Sequence, residues 1–424
     1  MFSSIFIEIL VIILQIPFFI KPIAAFNLLP RSHPKNISMS SALRSSTSNN
    51  DFSDMNLEWT SVDSFRETSL PSDLCPENPS VSHPRLAKDT MYAKAVLEAW
   101  KKDIAQSQLA SKSNLDDATV NTIGARLEYT RKSDGASLNG YVVIRSNLLN
   151  DANGNRKNTD PVHVPAIMLF HTGAGPQDVF LRWKADMIAR DEIWGDNGCV
   201  VLIADIVSDS SGWTWSDRER YDSTRKDLLQ RSTGDTCAIT HGNNSNGDET
   251  KDVTAVTTAT AQRWKLRETI SAALDALGRI NQVDNQRIGA MGWCMGGHPI
   301  LELGRMKING VNALITFHGV FDGITDDPAD KSKDTEQKEK GAVDRVLICN
   351  GKSDPFVSQE NLEIGRKTFE TNSWDIEVLN FDNVKHGFTN PAQDFNPSDA
   401  FAFNEEAAST SWEATKKLLE RQLL

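Results

Sequence analysis

Cysteine is scarce in this chain and positive charge is short. Five cysteines occur in 424 residues, an odd number with no C-x-x-C pair, which excludes a disulfide framework and leaves no zinc-ligand spacing. Free thiols are the expectation for Cys75, Cys199, Cys237, Cys294 and Cys349. A formal charge of −12 denies the chain a basic footprint, so no nucleic-acid partner is expected. Glycine and proline show no excess, at 25 and 16 residues, which excludes collagen-like and low-complexity architectures. What remains is the composition of a soluble globular protein, long enough for one large α/β domain with extensions or for two modest domains.

Two further absences mark the first fifty residues. The apolar run from Phe2 to Ile20 has no basic residue before it, and residues 26–50 contain no acidic one. Ile23-Ala24-Ala25 supplies the small residue of a cleavage site, so residues 1–25 are expected to be a signal peptide rather than an anchor. Residues 26–50, rich in Ser and carrying Arg31, Lys35 and Arg44, have the composition of a transit segment. The pair resembles the bipartite plastid presequence of algae with complex plastids. That resemblance implies passage through the ER to a plastid, with no stable membrane association after cleavage. Secretion or an endomembrane location is the alternative.

Residues 51–124 read as a linker, with prolines at 71, 76, 79 and 84, followed by an amphipathic helix over Asp89–Gln106. From residue 125 to 424 strands and helices alternate. Ala125–Tyr129 and Gly140–Ile144 have the pattern of an antiparallel hairpin at a sheet edge. Pro165–Phe170, Cys199–Ile206, Arg287–Met291, Val311–Phe317, Asp344–Cys349 and Trp374–Phe381 are short apolar runs of the kind buried on both faces. Helical stretches fall between them at Val179–Ile193, Lys265–Ile280, Ile300–Met306 and Asn361–Glu370, and Glu405–Gln422 closes the chain. The fold class expected is α/β, with a doubly wound, mostly parallel sheet. Two insertions interrupt it: Ser208–Thr260, with Trp213 and Trp215 near its start, and the charged loop Asp326–Gly341.

The chain is organised around Gly292-Trp293-Cys294-Met295-Gly296-Gly297. A strand that ends in Gly-x-Cys-x-Gly before a helix has the form of a nucleophile elbow with Cys in place of Ser. The helix start directs N–H groups and positive dipole at the thiol, which favours the thiolate. A Gly-rich Cys turn alone is equally compatible with an inert buried thiol. Two later segments decide between these readings. Asp354 follows the strand ending at Cys349, and His386 follows the strand ending at Phe381. Ligands and catalytic groups collect beyond the carboxyl ends of such strands, and nucleophile–acid–His is the chain order of α/β-hydrolases. Cys294 is the expected nucleophile, His386 the base and Asp354 its orienting acid. The N–H of Met295 and one from the Thr172-Gly173 turn are expected to form the oxyanion hole. His318, Trp293 and Trp213 are candidate substrate-binding residues. His171 and His298 read as hydrogen-bonding or packing histidines, and no metal is expected.

Gly-x-Cys-x-Gly-Gly, Gly-x-x-Asp-x-x-Val and His-Gly-Phe together resemble the dienelactone hydrolase family, over roughly residues 125–422. The resemblance implies a sheet of the α/β-hydrolase type, an acyl-thioenzyme, a small-molecule ester or lactone substrate, and no cofactor. Two positions depart from it. Family members that act on dienelactone carry Glu in the oxyanion turn, where this chain has Thr172. They also carry Arg shortly after the catalytic His, where it has Asn390. These departures bear on the substrate rather than on the chemistry. The rival reading is a lapsed member binding a small ligand or a protein in the same cleft; a third is a redox-sensing thiol protein. Oligomeric state is left open by the sequence.

Overall fold

Strands buried on both faces must divide their side chains between two cores, and these strands do. In the computed structural model, which describes residues 57–62, 91–111, 120–149, 162–207, 218–229, 263–321, 345–396 and 398–424, Ala166, Met168 and Phe170 enter one apolar cluster. Their neighbours Ile167 and Leu169 enter the other. The expected signal peptide, transit segment, Asp326–Gly341 loop, Trp213, and the Ser208–Thr260 insertion apart from 218–229 lie outside the described residues.

Nine strands form one mixed sheet: β1 (Thr60–Ser61), β2 (Thr122–Thr130), β3 (Ser137–Arg145), β4 (Val164–Phe170), β5 (Val200–Ala204), β6 (Val283–Trp293), β7 (Val311–Phe317), β8 (Arg345–Gly351) and β9 (Asp375–Phe381). The order is β1-β2-β3-β5-β4-β6-β7-β8-β9. The first three strands are antiparallel, β3 meets β5 antiparallel, and every pair from β5 to β9 is parallel. This is the expected doubly wound α/β architecture.

Seven helices accompany the sheet among the described residues: α1 (Met91–Ser111), α2 (Val179–Arg190), α3 (Arg218–Leu228), α4 (Trp264–Leu277), α5 (Gly297–Met306), α6 (Gln359–Thr371) and α7 (Glu405–Leu423). Apolar side chains of α4, α5 and α6 pack into one core, and those of α1, α2 and α7 into the other. At roughly 1.5–3 kcal/mol per fully buried large aliphatic side chain, these two layers are the main source of stability.

The region before residue 125 differs from the linker-and-helix reading. Thr60 and Ser61 pair antiparallel with Gly124 and Ile123, so the expected edge hairpin β2–β3 has a further strand outside it. The Asp89–Gln106 helix is longer, and it is structural: Ala93, Val96, Trp100 and Ile104 are buried, repeating on one face. Trp100 Nε1 donates to the buried Asp186 Oδ2 of α2 at 2.5 Å, and Trp183 Nε1 donates back to Asp103 at 3.4 Å.

Helix α5, which starts just behind Cys294, is fastened to α4 by buried charge. Glu302, fully buried, lies 2.7 Å from Arg267 Nε, 3.1 Å from Arg305 Nη1 and 4.0 Å from Arg263 Nε. Burial pushes its carboxyl pKa up, but the three guanidiniums prevail and hold it below the usual value. Removing the acid would leave buried cations uncompensated, which costs about 3–5 kcal/mol. Glu302→Ala should therefore lower the urea midpoint of unfolding by far more than Glu363→Ala, on the exposed side of α6; equal effects would refute the assignment.

Candidate active site

Register places the turns that carry the candidate residues side by side. Phe170 of β4 is paired with Gly292 of β6, Trp293 with Phe317 of β7, Phe317 with Cys349 of β8, and Gly351 with Phe381 of β9. The residues just beyond these pairs are Thr172-Gly173, Cys294, His318, Asp354 and His386. Four parallel pairings thus bring groups more than two hundred positions apart to one sheet end.

Cys294 sits in the left-handed region, at φ 52°. A non-glycine residue there is strained by about 1–3 kcal/mol and is held only by over-determined surroundings. Those surroundings are visible. A Cβ on Gly292 would meet the Gly296 carbonyl oxygen at 2.1 Å, so only glycine lets the chain reverse so sharply from β6 into α5. From the other side, the N–H of Val320 donates to the Cys294 carbonyl at 2.8 Å.

The thiol faces three donors: the His386 imidazole and the backbone N–H groups of Met295 and Gly173. Burial pushes its pKa up, but the cationic imidazole and the three hydrogen bonds outweigh that and bring it below the ordinary thiol value. His386 responds in the opposite direction. Burial disfavours its charge, yet the Cys294 sulfur and Asp354 raise its pKa to about 9. Each group thus favours the charged form of the other.

His386 is oriented through Asp354. Its Nδ1 donates to Asp354 Oδ2 at 2.7 Å, both side chains being buried, which leaves Nε2 for the sulfur. The other carboxylate oxygen accepts from Phe356 N at 2.8 Å and Val357 N at 3.2 Å. Asp354 is thus both a turn residue and an imidazole partner. The two loops meet closely: a Cβ on Gly351 would meet the Val384 carbonyl at 2.1 Å, and Ser353 N donates to that carbonyl at 3.1 Å.

The remaining candidates are placed as follows. Gly173 supplies the donor from the oxyanion turn. Thr172 shapes that turn instead, its Oγ1 accepting from Ala174 N at 3.0 Å. The His318 ring packs edge-on against His386, 4.4 Å between centroids, on a backbone at φ 42°. Trp293 is buried, stacked 4.9 Å from Phe317; it braces the elbow strand from within the core. Strand alternation accounts for this, since Trp293 shares a face with Met291 and enters the same cluster. His171 is neutral: its Nδ1 donates to the Thr172 carbonyl and its Nε2 accepts from Ile206 N, and burial lowers its pKa to about 4. The Nδ1 of His298, also buried, accepts from Arg263 at 2.9 Å. Among the described residues, no group of three or more His, Cys, Asp or Glu is placed to hold a metal ion.

The sequence reading did not anticipate Phe356 and Phe401, whose rings lie 4.9 and 5.3 Å from that of His386. Phe356 stands two residues past Asp354, a usable signal; Phe401 is brought in by a distant loop and had none. Nor did it anticipate that Asn390 is buried and donates to Tyr92 Oη of α1 at 2.7 Å.

The family profile described as dienelactone hydrolase matches residues 156–423. The chain belongs to the dienelactone hydrolase family. A solved structure named m3DLH is similar over 72% of this chain and 99% of its own, with TM-score 0.50 and 20% identity. A dienelactone hydrolase-like promiscuous phosphotriesterase from metagenomic libraries covers the same shares at TM-score 0.49 and 21% identity. An uncharacterized protein of Caenorhabditis elegans is 27% identical over 156 residues, 37% of this chain and 93% of that protein. Family membership makes the chain hydrolase-like, with the α/β-hydrolase fold.

The electrostatics of the site predict its thiol chemistry. In the folded protein, iodoacetamide should alkylate Cys294 at pH values where Cys199 and Cys349 stay unmodified, since burial pushes Cys349 up to about 12. His386→Ala should move the Cys294 midpoint to higher pH, because the opposing cation is gone. Peptide mass spectrometry across pH reads both; a midpoint indifferent to His386 would contradict the ion pair.

Proposed function

We propose that the protein hydrolyses a small ester or lactone through a Cys294–His386–Asp354 triad and an acyl-thioenzyme. The observation that carries this is the thiol held jointly by His386 and by the Met295 and Gly173 N–H groups, beside an imidazole already aligned by Asp354.

The steps follow from that geometry. The thiolate attacks the carbonyl carbon, and the negative charge moves to the carbonyl oxygen, which takes the two N–H donors from sulfur. Collapse re-forms the C=O and breaks the bond to the leaving oxygen, which accepts the Nε2 proton of His386. The neutral imidazole then takes a proton from water as it attacks the thioester. The second tetrahedral species expels the thiolate, the acid departs, and His386 is again cationic. Asp354 accepts from Nδ1 throughout and stabilises the charged ring.

The surroundings bear on the substrate. Phe356, 39% exposed, offers apolar surface next to the base. At the place where dienelactone-acting relatives carry a substrate-holding Arg, the amide of Asn390 is directed at Tyr92. An ester or lactone without a carboxylate suits this site better than dienelactone itself.

The experiment is turnover of p-nitrophenyl acetate and of a simple enol-lactone. Cys294→Ala should abolish triad-dependent turnover, and Asp354→Asn should lower kcat by on the order of 10²–10⁴. Undiminished turnover in Cys294→Ala would overturn the proposal. A folded wild-type protein with no turnover would favour the lapsed, ligand-binding alternative.

A further inference from the structure

Helix α1 lies before residues 156–423, which the family profile matches, and its first turn reaches both the Thr172–Gly175 turn and the turn that follows His386. Tyr92 Oη donates to Asp178 Oδ2 at 3.3 Å and accepts from Asn390 Nδ2 at 2.7 Å. Asp178 and Asn390 are both buried, at 0% and 3% exposure, so their polar groups are costly to leave unmatched.

Each end of the bridge is bonded into a turn that holds Cys294. On one side, Asp178 N donates to the Gly175 carbonyl at 3.4 Å and Gly175 N to the Thr172 carbonyl at 3.2 Å, closing the turn from which Gly173 reaches the thiol. The Asp178 Oδ1 caps α2 at Phe180 N, 3.1 Å away. On the other side, Asn390 N donates to the Gly387 carbonyl at 3.0 Å, next to His386. The Asn390 amide donates to the Tyr92 hydroxyl and the hydroxyl to the Asp178 carboxylate, so each bond polarises the next. Helix α1 is itself fixed against α2 by Trp100 and Trp183, which makes Tyr92 a stationary strut.

We propose that Tyr92 is a positioning residue: its hydroxyl ties the oxyanion turn to the His386 turn and so sets the separation between the Gly173 N–H and the imidazole across the thiol. This rests on the triad reading above. Phenylalanine at the same place keeps the ring and its packing but breaks both hydrogen bonds, so the hydroxyl can be tested apart from the helix.

The test is Tyr92→Phe in the full chain, with three readouts: urea unfolding, steady-state hydrolysis of p-nitrophenyl acetate, and the pH dependence of Cys294 alkylation by iodoacetamide. The groups facing the thiol are His386 and the two backbone N–H donors, so a loosened site must show in that pH profile. The expected result is a kcat lower by on the order of tenfold with KM little changed, and an alkylation midpoint moved to higher pH. Asn390→Ser keeps a side-chain oxygen able to cap Ala392 N but removes the amide donor to Tyr92 without adding charge. It should reproduce both effects, and the double variant should be no worse than the worse single one.

Wild-type kcat with an unmoved midpoint in Tyr92→Phe overturns the proposal, as does a double variant whose losses multiply. A loss of activity that only tracks the loss of folded protein overturns it too, since that is packing. If wild-type Cys294 alkylates as an ordinary thiol, the triad reading falls and takes this proposal with it. A shifted wild-type midpoint that Tyr92→Phe leaves in place overturns the Tyr92 assignment alone.

Discussion

The backbone of Cys294 is forced into a left-handed turn, and most of the architecture around it serves to keep it there. Strand β6 ends one residue earlier, helix α5 begins three residues later, and glycine at 292 is what lets the two backbones touch. The gain is orientation. A thiol on that turn faces the Gly173 N–H from β4's end, the Met295 N–H from its own turn and the imidazole from beyond β9. Met295 follows Cys294 directly, but Gly173 and His386 are far from it in sequence; the parallel register of β4, β6, β7, β8 and β9 brings them together in space. The strain at Cys294 is held locally by the close approach at Gly292 and the Val320 N–H bond, and offset globally by two large cores.

Electrostatics then does what burial alone would prevent. Desolvation opposes charge on both Cys294 and His386. What opposes desolvation is that they face each other, that Asp354 accepts from Nδ1, and that two N–H dipoles point at sulfur. In the proposed mechanism the same two dipoles would receive the carbonyl oxygen as it gains negative charge, taking the place that sulfur holds at rest.

The alternation of strands and helices and the three motifs were legible because they depend on local rules: short apolar runs, tight Gly-rich turns, Asp and His just past a strand. Cys294, Asp354 and His386 could be placed at one sheet end from sequence for that reason. The strand β1 was not legible, because two polar residues carry no periodicity; only the edge they meet on β2 defines them. Trp293 was read as a pocket wall because its neighbourhood drew attention, whereas strand alternation turns it inward onto Phe317. The Tyr92 bridge was invisible for a different reason. Its three residues lie far apart in sequence; Asn390 stood out only as a departure from the family's Arg, and Tyr92 and Asp178 carried no signal of their own. It exists because α1 packs against α2. Residues 1–50 and the plastid reading built on them stand as a proposal, resting on composition alone.

The central claim is that Cys294 carries the acyl group. Acid-quenching the protein during hydrolysis of p-nitrophenyl acetate, then digesting it and weighing the peptides, tests this directly. The account predicts one acetyl group on the peptide containing Cys294, formed faster in the wild type than in Asp354→Asn. An acetyl group on another residue at the site, or steady turnover with the Cys294 peptide never modified and no block on its alkylation, would contradict it.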